Sequence, residues 1–484
     1  MRSGFGGLLA AVMLLVVAGC STFHLAPSSG ENVLPSSAPP VVGAETPSRR
    51  EHARILAAYG GAYNDPKLDR MLGKLVSELA AHSDEPTLTC RVHVLNSPSI
   101  NAFALPTGDI YVTRGLLALA NDTSEIGAVL AHEIGHITAR HAFKRADREK
   151  QALLVSRVMT DVLNDSDGGA LQLAKSKLAL ASFSREQELE ADELGVATLA
   201  RAGYDPRGAA RFLTAMERNA RLQASGFGTA AGDTMDFMAN HPSTPERIRL
   251  VTQEAEKLAE DSDDKTARGA YLSAIEGLVF GDDPSQGYVE GNKFIHPVIG
   301  FEFEAPRGFR LENAADSIVG VGPNDTALRF DASKLGNDRP LTDHLAAELM
   351  DGVTISAVQT TNVNGFPAVL AVATGQDWKF RLAAIRFGSD VYRFVYAARQ
   401  LTPDIDAAFL SSIRSFRRLA SATATDIRPM RIAIVKVKEG DTVSSLAARM
   451  ADPDDKAVER FMVLNGLTGS SKIKVGEKVK IIVQ

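Results

Sequence analysis

His132-Glu133-Ile134-Gly135-His136 decides how the rest of this chain is read. Residues four apart on an α-helix share a face, so both imidazoles can meet one cation. The intervening Glu133 then reaches a water beside that cation. A helix is expected here, because Asp122, Thr123 and Ser124 offer an N-cap and Ile126, Val129 and Leu130 an apolar stripe.

Two imidazoles do not complete a catalytic zinc site, which uses three protein ligands and one open position. Glu188-Leu189-Glu190-Ala191-Asp192 lies downstream on a second expected helix, with Glu188 and Asp192 again on one face. Taken alone, this stretch reads as a charged, solvated helix face. Beside the His pair, Glu188 becomes the expected third ligand. Asp192 is expected to accept the outer N–H of a ligand histidine and fix its tautomer. Glu190 is expected to point elsewhere, as a surface carboxylate. On a continuous helix, His141 falls nearly opposite His132, so it is expected to be structural rather than a ligand. The ligand types alone also accept divalent ions other than zinc.

The chain has 484 residues, 45% hydrophobic and 23% charged, which excludes a wholly disordered chain and a polytopic membrane protein. A net charge of −6 gives no electrostatic case for nucleic acid. Cys20 and Cys90 are the only cysteines, which excludes a disulfide framework and leaves any metal to histidines and carboxylates. Residues 1–19 read as a secretory signal: Arg2, then an apolar run too short to span a membrane. That run ends in Val17-Ala18-Gly19-Cys20, which resembles a lipobox. The resemblance implies a bacterial lipoprotein held in the membrane through lipidated Cys20 and facing the periplasm. Ser21 after the cysteine favours the outer membrane by the same resemblance.

The expected fold class is multidomain α+β. Residues 20–50 are a Ser/Pro-rich tether, and 51–260 are mainly helical with a small sheet. Strands are expected at Arg91–Leu95, Ala102–Leu105 and Ile110–Thr113, with a hairpin turn at Pro106–Asp109. The strand over 109–113 is expected to present an exposed edge to a substrate backbone. Residues 261–290 read as a linker with one short helix, 291–418 as an α+β domain without catalysis, and 431–484 as a compact βααβ module. His296 and His344 are expected to be structural.

The motifs above, with Phe183-Ser184-Arg185, His241-Pro242 and Arg247-Ile248, resemble the zinc metallopeptidases of the CAAX-prenyl endopeptidase family. Asn101–Pro106 and Thr113–Leu117 also match that family's strand segment before the metal helix. The resemblance covers about residues 52–252, lacks the family's transmembrane helices, and so points to its soluble periplasmic branch. It implies a gluzincin-type domain holding one Zn2+ per chain through His132, His136 and Glu188, with Glu133 as general base. It makes His241 and Arg247 candidates to stabilise the oxyanion, behind a lid over Ala224–Asn240. His241 could instead occupy the open metal position at rest. The implied substrates are unfolded or misfolded envelope proteins.

Residues 431–484 resemble a LysM domain, with Gly440-Asp441-Thr442 opening the first helix. That implies binding of peptidoglycan, with Gly440, Asp441 and Thr442 as glycan-site candidates. The insert Ala451–Asp455 and the scarcity of aromatic residues near the usual groove depart from the pattern. Two other readings stay open: a non-catalytic chaperone or adaptor for outer-membrane protein assembly, and a hydrolase of peptidoglycan peptides.

Overall fold

The computed structural model describes residues 47–147, 183–227, 241, 244–259, 267–314, 317–333, 335, 336, 338–346, 353–375, 377–420, 428–451, 456–469 and 471–484. The signal, Cys20, most of the tether, the helical stretch expected at 151–163, the first part of the one expected at 171–199, and most of the expected lid lie outside these residues.

Two helices open the fold, α1 (Pro47–Ala58) and α2 (Pro66–Ala81). Asp65 caps α2, and Leu68, Leu72, Leu75, Val76 and Leu79 form its buried stripe. A three-stranded sheet follows: β1 (Arg91–Leu95), β2 (Ala102–Ala104) and β3 (Asp109–Thr113), in the order β1-β3-β2. The turn between β2 and β3 needs Gly108 at φ 89°, where a Cβ would stand 2.3 Å from the Thr89 carbonyl oxygen. The sequence-based assignment of the exposed edge is corrected here. β3 is the central strand, parallel to β1 and antiparallel to β2, and all five of its residues are buried. The edge strands are β1 and β2, and β2 packs against the helix Thr123–Thr138.

A short helix, α3 (Arg114–Leu119), leads to α4 (Thr123–Thr138), the helix with the His pair. Asp122 caps α4 by accepting from the Glu125 N–H at 2.8 Å, a bond of a kind that adds about 1 kcal/mol. The helix ends earlier than its apolar pattern suggests. Arg140 takes a left-handed φ of 56°, and 141–147 begin a new helical run in another direction.

Helices α5 (Arg185–Arg201) and α6 (Gly208–Phe227) pack on α4, and α7 (Pro245–Leu258) packs on both of them. Next comes α8 (Arg268–Ile275), within the stretch expected to be a linker. Tyr271, Leu272 and Ile275 are wholly buried, and the Tyr271 hydroxyl donates to the Leu117 carbonyl at 2.6 Å, so α8 belongs to the core.

The central domain carries its own two sheets. The smaller joins β14 (Arg417–Arg418), β6 (Phe301–Glu304), β5 (Lys293–His296) and β4 (Tyr288–Glu290). The larger runs β10 (Thr354–Val363), β11 (Phe366–Thr374), β12 (Lys379–Phe387), β13 (Asp390–Ala398), β9 (Thr326–Ala332), β8 (Ile318–Gly322) and β7 (Arg310–Asn313), antiparallel throughout. Two helices, α9 (Leu341–Ala346) and α10 (Pro403–Ser415), flank it. Phe294, Phe301, Phe303, Phe330, Phe394 and Phe409 fill its core, which is separate from that of the helical body. His296 and His344 are buried in this domain, away from the His132–His136 pair.

The last module is β15 (Arg431–Lys436), α11 (Val443–Ala447), α12 (Ala457–Leu464) and β16 (Lys478–Val483), with β15 and β16 paired antiparallel. Thr442 caps α11 in a reciprocal box with Ser445, and Asp441 accepts from the Lys438 N–H at 2.7 Å. Among the described residues, no helix is long and apolar enough to cross a membrane.

Candidate metal centre

The site forms where α4 and α5 cross. Two glycines set how closely they approach. A Cβ on Gly195 would stand 3.0 Å from the His132 nitrogen, and one on Gly135 would stand 3.1 Å from the Ala191 carbonyl. Ordinary side chains at these points would hold the helices apart. Sequence reasoning missed both glycines, although Gly135 lies inside the motif.

Four donors converge: His132, His136, Glu188 and His241, one atom from each lying within 4.8 Å of the others. The His132 and His136 Nε2 atoms are 3.0 Å apart. A Glu188 oxygen lies 3.5 Å from His136 Nε2 and the other 3.7 Å from His132 Nε2. His241 Nδ1 lies 2.9 Å from Glu188 and 3.3 Å from His132 Nε2. All four side chains are buried.

The protonation pattern suits a cation. Burial alone would raise the Glu188 carboxyl, but hydrogen bonds to His136 and His241 outweigh it and hold the group well below the usual carboxylate range. Burial drives His136 far below the usual imidazole range, keeping it neutral. Metal ligands must be deprotonated, as Glu188 and His136 are here; at His132 burial is outweighed by the hydrogen bond to Asp192, which raises that ring, so a cation there would displace its proton. Glu133, Glu188 and Asp192 bring three buried carboxyl groups to the guanidinium of Arg247, an acidic excess that favours a cation.

Glu133 sits beside the cluster rather than in it. Its Oε1 has no hydrogen-bond partner among the described residues and lies 3.6 Å from His241 Nε2. Burial pushes its carboxyl upward, against the pull of His241 and His132. The backbone of Ala104 on β2 hydrogen-bonds this carboxylate, tying the edge strand to the candidate base.

Asp192 Oδ1 lies 3.0 Å from His132 Nδ1, where it accepts that N–H and turns Nε2 toward the cluster. Arg247 grips both Asp192 oxygens and places Nη1 2.7 Å from Glu188. Its guanidinium therefore faces the site's carboxylates.

His141 is not on the far face of a continuous helix. The break at Arg140 swings it back, and its Nδ1 lies 2.8 Å from His136 Nδ1. Its Nε2 lies 3.1 Å from Glu190, so Glu190, though exposed, is tied to the site. His136 thus has a His141–Glu190 relay behind it, as His132 has Asp192. Sequence reasoning missed this, because it carried the helix past Thr138. The ring of Phe183 stacks on His136 at 4.0 Å between centroids. Beside His132 lies a cavity of only about 30 Å³, lined in part by Phe212, Met216 and Arg247.

Residues 65–255 match peptidase family M48, and residues 435–481 match the LysM domain. The chain is 35% identical over 179 residues to mitochondrial metalloendopeptidase OMA1 of Arabidopsis thaliana, covering 36% of this chain and 33% of that protein. It is 28% identical over 192 residues to the beta-barrel assembly-enhancing protease of Escherichia coli K12, covering 38% and 39%. A putative beta-barrel assembly-enhancing protease of Vibrio cholerae is 27% identical over 241 residues, covering 47% and 48%. The chain thus spans less than half the length of these curated relatives. Among solved structures, cyanobacterial PsbP from Synechocystis sp. PCC 6803 aligns at 13% identity and a TM-score of 0.21, over 26% of this chain and 91% of that one.

Proposed function

We propose that this chain, with its peptidase family M48 domain and LysM domain, is a zinc metalloendopeptidase of the bacterial cell envelope. The carrying observation is the buried convergence of His132, His136 and Glu188 with Glu133 poised beside them. Bound zinc would supply Lewis acidity, polarising a scissile carbonyl and acidifying a nearby water.

The chain's own groups supply the rest. Glu133 takes the proton from the attacking water and passes it to the leaving amine nitrogen. Its burial raises its proton affinity, which suits both halves of that task. Asp192 and Arg247 hold His132 and Glu188 in orientation. An extended peptide pairs with β2, an edge strand that packs on α4, so recognition runs through backbone and favours unfolded segments. His241 fills the space a substrate carbonyl needs, its Nδ1 lying 3.3 Å from His132 Nε2 and 2.9 Å from Glu188. This is a closed resting state, and His241 must withdraw for turnover, after which its ring is free to face the oxyanion.

The substrates are misfolded or stalled envelope proteins. The lipobox-like Val17–Cys20 supports attachment to the outer membrane through lipidated Cys20, and the LysM domain supports contact with peptidoglycan through Gly440, Asp441 and Thr442.

The test compares the zinc-loaded chain with Glu133→Gln on an unfolded protein. Both are expected to hold equal zinc, and only the unsubstituted chain to cleave. A chelator is expected to stop it. Equal cleavage by both would overturn the role of Glu133. Equal inactivity with full zinc would favour the chaperone reading, and release of peptides from purified peptidoglycan the third.

A further inference from the structure

Lys480 is a wholly buried cation whose position calls for an account. It lies on β16 of the C-terminal module, yet its side chain leaves the module and is wholly buried. Its Nζ donates to the carbonyls of Ala118, Leu119 and Ala120 at 2.7, 3.1 and 2.7 Å. Those are the unsatisfied carbonyls at the C-terminal end of α3, where a cation is favoured. The next residue, Asn121, gives its backbone N–H to Glu125 in the first turn of the metal helix.

Four further observations lie along the same junction. Gly466 of the module approaches so closely that a Cβ on it would stand 3.2 Å from Asn121 Nδ2. Backbone bonds cross between Gly277 and Ile432 in one direction and Ile432 and Leu278 in the other, at 2.8 and 2.9 Å. The apolar residues Ile432, Phe461, Leu464 and Ile482 belong to the same continuous core as Leu130 and Ile134 of α4. Helix α12 packs on α6, whose Phe212 and Met216 line the cavity beside His132.

We propose that the C-terminal module is docked permanently on the peptidase body through Lys480, as a part of the same cooperative unit rather than a swinging tether. This goes beyond the proposed activity and does not depend on it. An isolated buried ammonium is costly, so three carbonyls that fit it hold the module in one orientation. Gly440, Thr442 and Val475 of the same module are exposed. Whatever binds there is held at a fixed displacement from the metal helix.

The test is native-state hydrogen exchange of the full chain under rising denaturant. The amides of Gly277, Ile432 and Leu464 are expected to join those of Leu130 and Ile134 in one opening transition. Exchange of Ile432 and Leu464 through a separate, lower transition, at least tenfold faster, overturns the proposal. Lys480→Met is expected to speed exchange in the module and in α4 together. Acceleration confined to the module overturns the proposal too. If that variant does not fold, the unsubstituted chain still decides. Zinc content and cleavage are scored on the same sample. An inactive chain that opens as one unit removes the peptidase reading and leaves the docking intact.

Discussion

Arg247 holds Asp192 as a fork, with Nε 2.8 Å from one oxygen and Nη2 2.8 Å from the other. The same guanidinium reaches Glu188, so one side chain fixes both the candidate third ligand and the group that orients His132. Lysine is a point donor and cannot span both carboxylates. Arg247→Lys is therefore expected to keep the fold and weaken zinc binding about 10- to 100-fold, read by chelator competition. Unchanged affinity would separate Arg247 from the site.

The His141 ring behind His136 carries a parallel expectation. Removing it leaves His136 Nδ1 without its 2.8 Å neighbour and frees the ring to turn. His141→Ala is expected to lower zinc affinity by about tenfold or more. Glu190→Gln acts one step farther out, at an exposed carboxylate, and is expected to have a smaller effect. An equal or larger effect of Glu190→Gln would reverse that order.

Gly195 tests the helix crossing itself. A methyl there meets the His132 backbone at 3.0 and 3.1 Å, so α5 must move away from α4. Gly195→Ala is expected to lower both thermal stability and zinc affinity, although no ligand is altered. A gain in stability, as alanine ordinarily brings to a helix interior, would show that the helices have slack.

His296 in the central domain gives a pH signature unconnected with the metal. Burial pulls its pKa down to about 4, and its Nδ1 accepts the Ile299 N–H, which a protonated ring cannot do. The folded value lies below the unfolded 6.5, so its stability contribution is full above that value. It is lost as pH falls from about 6.5 to about 4, where the unfolded chain binds the extra proton. His296→Gln is expected to flatten stability across that window, measured by urea unfolding at stepped pH. An unchanged slope would assign the loss to other groups.

What the sequence revealed about the site followed from local periodicity. His132, His136, Glu188 and Asp192 sit at four-residue spacing on helices, and the structure brings them together. Periodicity failed where the backbone broke it: nothing in Thr138–His141 announces that Arg140 takes a left-handed conformation. The small sheet had a legible hairpin, but its strand order depends on β1 crossing back to lie parallel to β3, which is a long-range pairing. Gly135 and Gly195 were invisible for a related reason, since a close approach between helices belongs to two segments at once. In the central domain, β11, β12 and β13 were readable as apolar runs. β10 was not, because most of its residues are exposed and its composition is polar.

The bonds between 277–280 and 430–432 also place the two ends of the central domain side by side. The Phe280 N–H reaches the Met430 carbonyl at 2.8 Å. The chain leaves the helical body and returns to it at one doorway, and everything between folds around a separate aromatic core. In topological terms the central domain is an insertion into a continuous peptidase–LysM body. A gene joining Phe280 to Met430 through a short turn would leave that body's hydrogen-bonded seam and core uncut.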